Sequence, residues 1–187
     1  MGYFDSEENA KEYISIADGY DGKELIARLR EFLDPCSTVL EIGMGPGKDL
    51  LMLAETYKVT GSDLSDVFLR LFREENPHAD LVKLDAVTLG TDRRFDCIYS
   101  NKVLHHLTTE DLRSSLVRQR EILNPSGTIL HTFWNGNGIE TMGDLRFVYY
   151  TEDDIRKMVE EGYQILVLET YSEMERDDSI LLIASRA

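Results

Sequence analysis

The sequence predicts a doubly wound α/β fold: a mostly parallel, seven-stranded sheet covered by helices, with an antiparallel hairpin at one edge. Three observations carry this. Short apolar runs alternate with helix-period segments across short connections, the pattern of right-handed βαβ units. The first such run passes directly into a glycine-rich turn. The last two runs have no helix between them, so they pair antiparallel.

The elements follow in order. Residues 1–20 are polar with Tyr3, Phe4, Tyr13 and Tyr20 interspersed, and read as a loosely helical arm that caps a site. A single domain spans 21–187. Its first helix is capped by Asp21, repeats Leu25, Ile26, Leu29, Phe32 and Leu33 at helical spacing, and stops at Asp34-Pro35. Thr38–Ile42 is a short apolar strand, and Leu50–Ala54 belongs to the next helix. Tyr57–Gly61 is the second strand, followed by a helix over Asp66–Glu75. Leu81–Leu84 and Phe95–Tyr99 are the third and fourth strands. Asp111–Leu123 is a helix stopped by Asn124-Pro125-Ser126-Gly127, and Thr128–Trp134 is the fifth strand. Thr151 caps a helix to Glu161, with Asp154 placed for a capping box. Tyr163–Glu169 and Ile180–Ser185 close the sheet, joined by the acidic turn Glu173–Asp178.

Composition narrows the function. The 187 residues carry 35 acids against 20 bases, a net charge of −15. Such a surface repels polyanions and anionic lipid, so neither nucleic acid nor a membrane is expected as partner. Apolar runs such as Ile180–Ala184 fall far short of the ~18 residues of a membrane helix. The first ten residues hold Asp5, Glu7 and Glu8 and no basic region, unlike a signal or transit peptide. Cys36 and Cys97 form no disulfide framework and no CxxC knuckle, which suits a reducing cytoplasm, and no metal site is expected.

In an open α/β sheet, ligands bind beyond the carboxyl ends of the strands, where strand order reverses. The loop there is Glu41-Ile42-Gly43-Met44-Gly45-Pro46-Gly47-Lys48-Asp49. Gly43 permits a sharp exit from the strand. Gly45 and Gly47 clear side chains from where a ligand meets backbone, and the next helix offers free N–H groups. Asp63 follows Gly43 by about 20 residues, the separation of an acid that binds ribose hydroxyls. Its alternative role is helix capping, which Ser65 can also perform. Leu64 is placed to pack on the base.

The ordered set Val39–Gly47, Asp63, Leu84-Asp85-Ala86, Phe95–Leu107 and Leu123–Thr128 resembles the class I S-adenosylmethionine-dependent methyltransferases over nearly the whole chain. The loop reads GxGxG, with Lys48 where a dinucleotide fingerprint has its third glycine, which weighs against an NAD-dependent oxidoreductase. By that resemblance, Glu41, Gly43, Gly45 and Gly47 surround the methionine end of the cofactor S-adenosylmethionine, whose product is S-adenosylhomocysteine. Asp63 binds the ribose, and Asp85 with the Ala86 N–H meets the adenine, unless Asp85 is simply a turn acid. Ser100 and Asn101 contact the methionine part, and Leu104 walls the pocket.

Methyl transfer is an in-line displacement, so the protein must hold the acceptor in line and exclude water. His105 is the candidate base, with packing or capping as the alternative for it and for His106. Mid-strand His131 reads as a packed sheet residue. The connection 135–150 is long enough for a substrate lid, or is an unstructured loop. Arg146 and Tyr149 within it, and Tyr13 and Tyr20 of the arm, are candidate substrate contacts. The runs Asp5–Glu8, Thr151–Asp154 and Glu173–Asp178 read as solvated surface. The reading is a methyltransferase for a small molecule, acting as a monomer or homodimer. The alternatives are an NAD-dependent oxidoreductase or a non-catalytic, regulatory homologue that binds the cofactor.

Overall fold

The computed structural model describes residues 4, 6–16, 19, 21–143 and 145–187. The candidate Tyr20 lies outside them. A seven-stranded sheet forms the centre, in the order β3-β2-β1-β4-β5-β9-β8. Its strands are β1 (Thr38–Ile42), β2 (Lys58–Asp63), β3 (Asp80–Lys83), β4 (Phe95–Ser100), β5 (Leu123–Trp134), β8 (Tyr163–Tyr171) and β9 (Ser179–Arg186). Strands β1 to β5 run parallel, and β9 pairs antiparallel with both β5 and β8. The order reverses between β1 and β4, so the cleft opens beyond their carboxyl ends.

Period two along β1 explains the layering. Leu40 and Ile42 join a core with Ile98, Leu112, Leu116 and Ile129 on one face. Val39 faces the other way, into a core with Leu29, Leu53, Cys97, Leu130 and Ile183. Both faces are covered, as a parallel sheet requires. The helices are α1 (Glu7–Ile16), α2 (Lys23–Leu29), α3 (Lys48–Ala54), α4 (Asp66–Glu75), α5 (Thr109–Ile122) and α6 (Glu152–Val159). Thr151 and Asp154 make the anticipated capping box on α6.

Three local expectations are corrected. Helix α2 ends at Leu29 rather than reaching Leu33, and Gly22 rather than Asp21 is its N-cap. The Gly22 N–H donates to Asp49 Oδ1 at 2.7 Å, and a Cβ at Gly22 would meet the Tyr99 hydroxyl at 2.3 Å, so this entry is set by a buried acid. Asn124–Gly127 does not intervene between helix and strand: β5 already begins at Leu123, with a register shift against β4. The connection 135–150 is not an unstructured loop. It folds as a two-stranded hairpin, β6 (Gly138–Met142) and β7 (Leu145–Tyr149), beside the main sheet.

Helix α1 lies against α4. Phe4, Tyr13 and Phe68 pack edge to face and tilted at 5.1–6.0 Å, Ser65 Oγ donates to the Phe4 carbonyl, and Glu7 pairs with Arg70.

Candidate functional site

A cleft of about 380 Å³ opens at the reversal point. Its floor is the turn after β1. Gly43, Gly45 and Gly47 take φ of +67°, +49° and +82°, a left-handed path that L side chains resist. A Cβ at Gly43 would meet Val103 at 2.5 Å, and one at Gly47 would meet Phe72 at 2.2 Å. Over Gly45 the space is open except for the Tyr13 ring at 3.8 Å. The turn is therefore a backbone cradle roofed by the arm.

Glu41 stands at the edge of this cradle, 3% exposed, and its Oε2 has no hydrogen-bond partner. Burial, and then the nearby carboxylates of Asp49 and Asp63, push its pKa well above the usual range. A buried, unpaired carboxyl is costly unless a donor or cation arrives from outside the chain. The ammonium and sulfonium of S-adenosylmethionine are such groups, so the residues present fit that cofactor. Asp63 ends β2, and its carboxylate accepts from Gly45 N at 2.9 Å and Ser65 N at 2.8 Å. Burial raises its pKa, against the lowering effect of those amides. The cap of α4 is Ser65, which accepts from Phe68 N, so capping is not the role of Asp63.

Asn101, after β4, reaches the cleft wall. It donates to Asp49 Oδ2 at 3.1 Å and accepts from Thr132 Oγ1 at 2.7 Å. Asp49 also accepts from Tyr99 (2.6 Å), so one carboxylate ties α2, α3 and β4 together beneath the cleft.

Other expected positions sit away from the cleft wall. Leu64 is 56% exposed. Asp85 Oδ1 accepts from Val87 N and Thr88 N, a turn-forming arrangement, and the Ala86 carbonyl accepts from Ser115. Ser100 donates to His131 Nδ1, whose Nε2–H donates to Gln119. Burial lowers His131 to about 3, confirming a packed, neutral sheet residue. Leu104 is buried in the core. Tyr149 donates to Glu140 within the hairpin, and Arg146 contributes only its carbonyl, which accepts from His106 Nδ1 at 2.7 Å. Neither Arg146 nor Tyr149 lines the cleft: strand alternation turns Arg146 away from the face of Leu145 and Phe147, and Tyr149, on that same face, is bound to Glu140 of β6.

His105 does face the cleft. It is 1% exposed, and neither ring nitrogen has a partner. It stacks on Phe147 at 5.5 Å and lies 4.1 Å from His106. Burial, then His106 and Lys102, hold its pKa well below 6.5, so it is neutral at pH 7.

The sequence reading missed Asp49, Lys102, Trp134 and Glu173. Lys102 adopts φ +53°, with its ammonium 3.5 Å over the Trp134 ring and 3.0 Å from Glu173. The run Glu173–Asp178 was read as solvated surface: Met174 to Asp177 are exposed accordingly, but Glu173 and Asp178 are partly buried, and for these two the reading is corrected. Asp178 accepts from the backbone of Glu173, Met174 and Glu175 and so shapes the turn that carries Glu173 to the cleft. Burial opposes it, but these amides hold Asp178 down at about 2. Asp49 and Lys102 lay within quoted motifs, the glycine turn and Phe95–Leu107, but no residue pattern local to Lys102 or Glu173 signals their pairing.

Comparison with known proteins agrees with this geometry. Residues 39–127 match the family model described as a methyltransferase domain. The tRNA (carboxymethyluridine(34)-5-O)-methyltransferase of Arabidopsis thaliana is 30% identical over 58% of this chain and 27% of its own length. The trans-aconitate 2-methyltransferase of an Azoarcus species is 29% identical over 64% of this chain and 47% of its own. The chain thus spans less than half the length of these curated relatives. The solved 1,6-didemethyltoxoflavin-N1-methyltransferase of Burkholderia thailandensis superposes with a TM-score of 0.79 at 18% identity, over 95% of this chain and 87% of that one, which shows a shared fold. With its strand order, its glycine cradle and the methyltransferase-domain match over residues 39–127, the chain is similar to the class I S-adenosylmethionine-dependent methyltransferases.

Proposed function

We propose that the chain transfers a methyl group from S-adenosylmethionine to a small-molecule acceptor. The observation that carries this is the orphaned Glu41 oxygen beside a cradle of left-handed glycines. When bound, the cofactor supplies an electrophilic methyl carbon on a cationic sulfur, and leaves as S-adenosylhomocysteine. Glu41, Gly43, Gly45 and Asn101 hold the methionine end, with Gly47 shaping the turn. Asp63 exchanges its bond to Gly45 N–H for ribose hydroxyls. Leu64, Asp85 and Ala86 border the adenine end, while Ser100 and Leu104 support the wall from behind.

Several features favour a small acceptor in a closed site. The arm, through Phe4 and Tyr13, and the hairpin, through Leu145 and Phe147, both line the cleft. The hairpin serves as the substrate lid and excludes water. A tRNA acceptor, as in the name of the Arabidopsis relative, is opposed by the net charge of −15. Among the described residues no helix is long and apolar enough to cross a membrane. Neutral His105 accepts a hydrogen bond from the acceptor's reacting group and aligns its lone pair.

The test is calorimetric titration with S-adenosylhomocysteine and with NADH, paired with transfer assays. S-adenosylhomocysteine alone is expected to bind, and His105→Ala to keep that binding while losing ~100-fold in turnover. Binding of NADH instead would establish an oxidoreductase. Cofactor binding with no transfer to any acceptor would leave a regulatory homologue.

A further inference from the structure

The acceptor end of the cleft has a lopsided hydrogen-bonding inventory. Lys102, the lysine beside Trp134 and Glu173, has three N–H donors, and all are used: on Glu173 Oε2 (3.0 Å), Ser179 Oγ (2.6 Å) and the Phe133 carbonyl (3.3 Å). The polar groups around it offer lone pairs. Glu173 takes Lys102, Tyr171 and Ser179 on the same Oε2, leaving Oε1 without a hydrogen bond among the described residues. Neutral His105 has a free ring lone pair in either tautomer. His106 gives its Nδ1 proton to the Arg146 carbonyl, so its Nε2 is an acceptor. Around these groups stand Trp134, Phe147, Met142 and Met174.

An anionic acceptor, a carboxylate or phenolate, would find Lys102 already committed and would face the Glu173 carboxylate. A nitrogen with N–H donors and an apolar body matches every group. We infer that the methyl acceptor is an amine on an apolar or aromatic body, its N–H groups donated to His105 and Glu173. The inference rests on the methyltransferase reading and specifies its substrate class. The neutral amine's lone pair forms the N–C bond as the C–S bond breaks, and sulfur keeps that electron pair. The positive charge passes from sulfur to nitrogen, and the product leaves as a methylated ammonium. No proton need be lost before transfer. Glu173 lies where that charge appears, which is the placement that stabilises a transition state.

The experiment supplies the whole chain with methyl-labelled S-adenosylmethionine. The acceptors are a defined mixture of apolar amines, phenols, carboxylic acids and thiols with matched carbon frames. Mass spectrometry locates the label. The expected result is label on nitrogen, with Glu173→Gln lowering kcat/KM for that amine ~10- to 100-fold while S-adenosylhomocysteine affinity stays within about twofold. Titrating the same amine into protein loaded with S-adenosylhomocysteine should show the same dependence on Glu173. The wild-type kcat/KM should rise with pH up to the amine's own pKa, and an amine of lower pKa should move that profile with it. Label on oxygen, sulfur or carbon, or no labelled product from a protein that binds S-adenosylhomocysteine, overturns the amine proposal and leaves the cofactor reading standing. Absence of S-adenosylhomocysteine binding overturns the cofactor reading itself.

Discussion

A single carboxyl, Glu41, links the proposed cofactor site to the stability of the protein. Its Oε2 is buried without a partner, and Asp49 and Asp63 crowd it electrostatically. Glu41→Gln keeps the shape and removes the ionisable group. In the unliganded protein the variant should be as stable as the parent or more so, because a buried unpaired carboxyl is replaced by a neutral amide. Cofactor affinity should fall about tenfold or more, as the ligand's cation loses its charge-assisted bond. Thermal melting and calorimetry together check this; unchanged affinity would remove Glu41 from the site. The residue scale also marks a limit of sequence reading. The glycine turn was legible because strand, glycines and helix follow one another at fixed spacing, and Asp63 was placed near it by its separation from Gly43. Lys102 and Glu173 were not legible, since an exposed-looking lysine and an acidic turn become a partly buried pair only when the end of β4 and the β8–β9 turn meet.

At the scale of elements, local signals were sufficient where periodicity is strong. The strand over Thr38–Ile42 and the helix over Asp66–Glu75 were anticipated with their observed bounds, since one is a short, mainly apolar run ending at a glycine turn and the other repeats at 3.6 residues. The hairpin was not, because every residue of β6 is exposed and carries no alternating burial signal. Its placement depends on long-range bonds: Tyr150 N donates to the Trp134 carbonyl, Gly136 N to the Tyr150 carbonyl, and His106 Nδ1 to Arg146. These bonds bring the two ends of the hairpin side by side, so it can be excised cleanly. Replacing 137–149 with two glycines should leave S-adenosylhomocysteine affinity within about twofold and lower acceptor turnover ~100-fold, as expected for loss of a covering lid. Steady-state kinetics on the excised protein checks this. Equal loss of cofactor binding would show that the hairpin holds the cofactor cradle as well.

The whole molecule carries an acid sensitivity set by buried histidines. His131 titrates at about 3, and His105 and His106 are also lowered by burial. Their folded pKa values lie below the unfolded ~6.5, so the unfolded chain binds more protons and stability falls as pH drops below that value. Glu41 acts in the opposite sense, because its folded pKa is raised. Urea denaturation should show stability falling by about 1–2 kcal/mol between pH 6.5 and 5.5. Glu41→Gln should fall more steeply, having lost the opposing contribution. Equal stability at both pH values would refute this balance. On this scale the division of information is plain. The sequence by itself determined the strand–helix alternation, the glycine turn, the acid at the end of the second strand and the family resemblance they carry, because each is written in residues close together or at fixed spacing. Only the tertiary structure decided what meets at the cleft: the arm over Gly45, the hairpin behind His105, and Lys102 held between Trp134 and Glu173. Those contacts join segments far apart in the chain, where no local period or propensity records the partner.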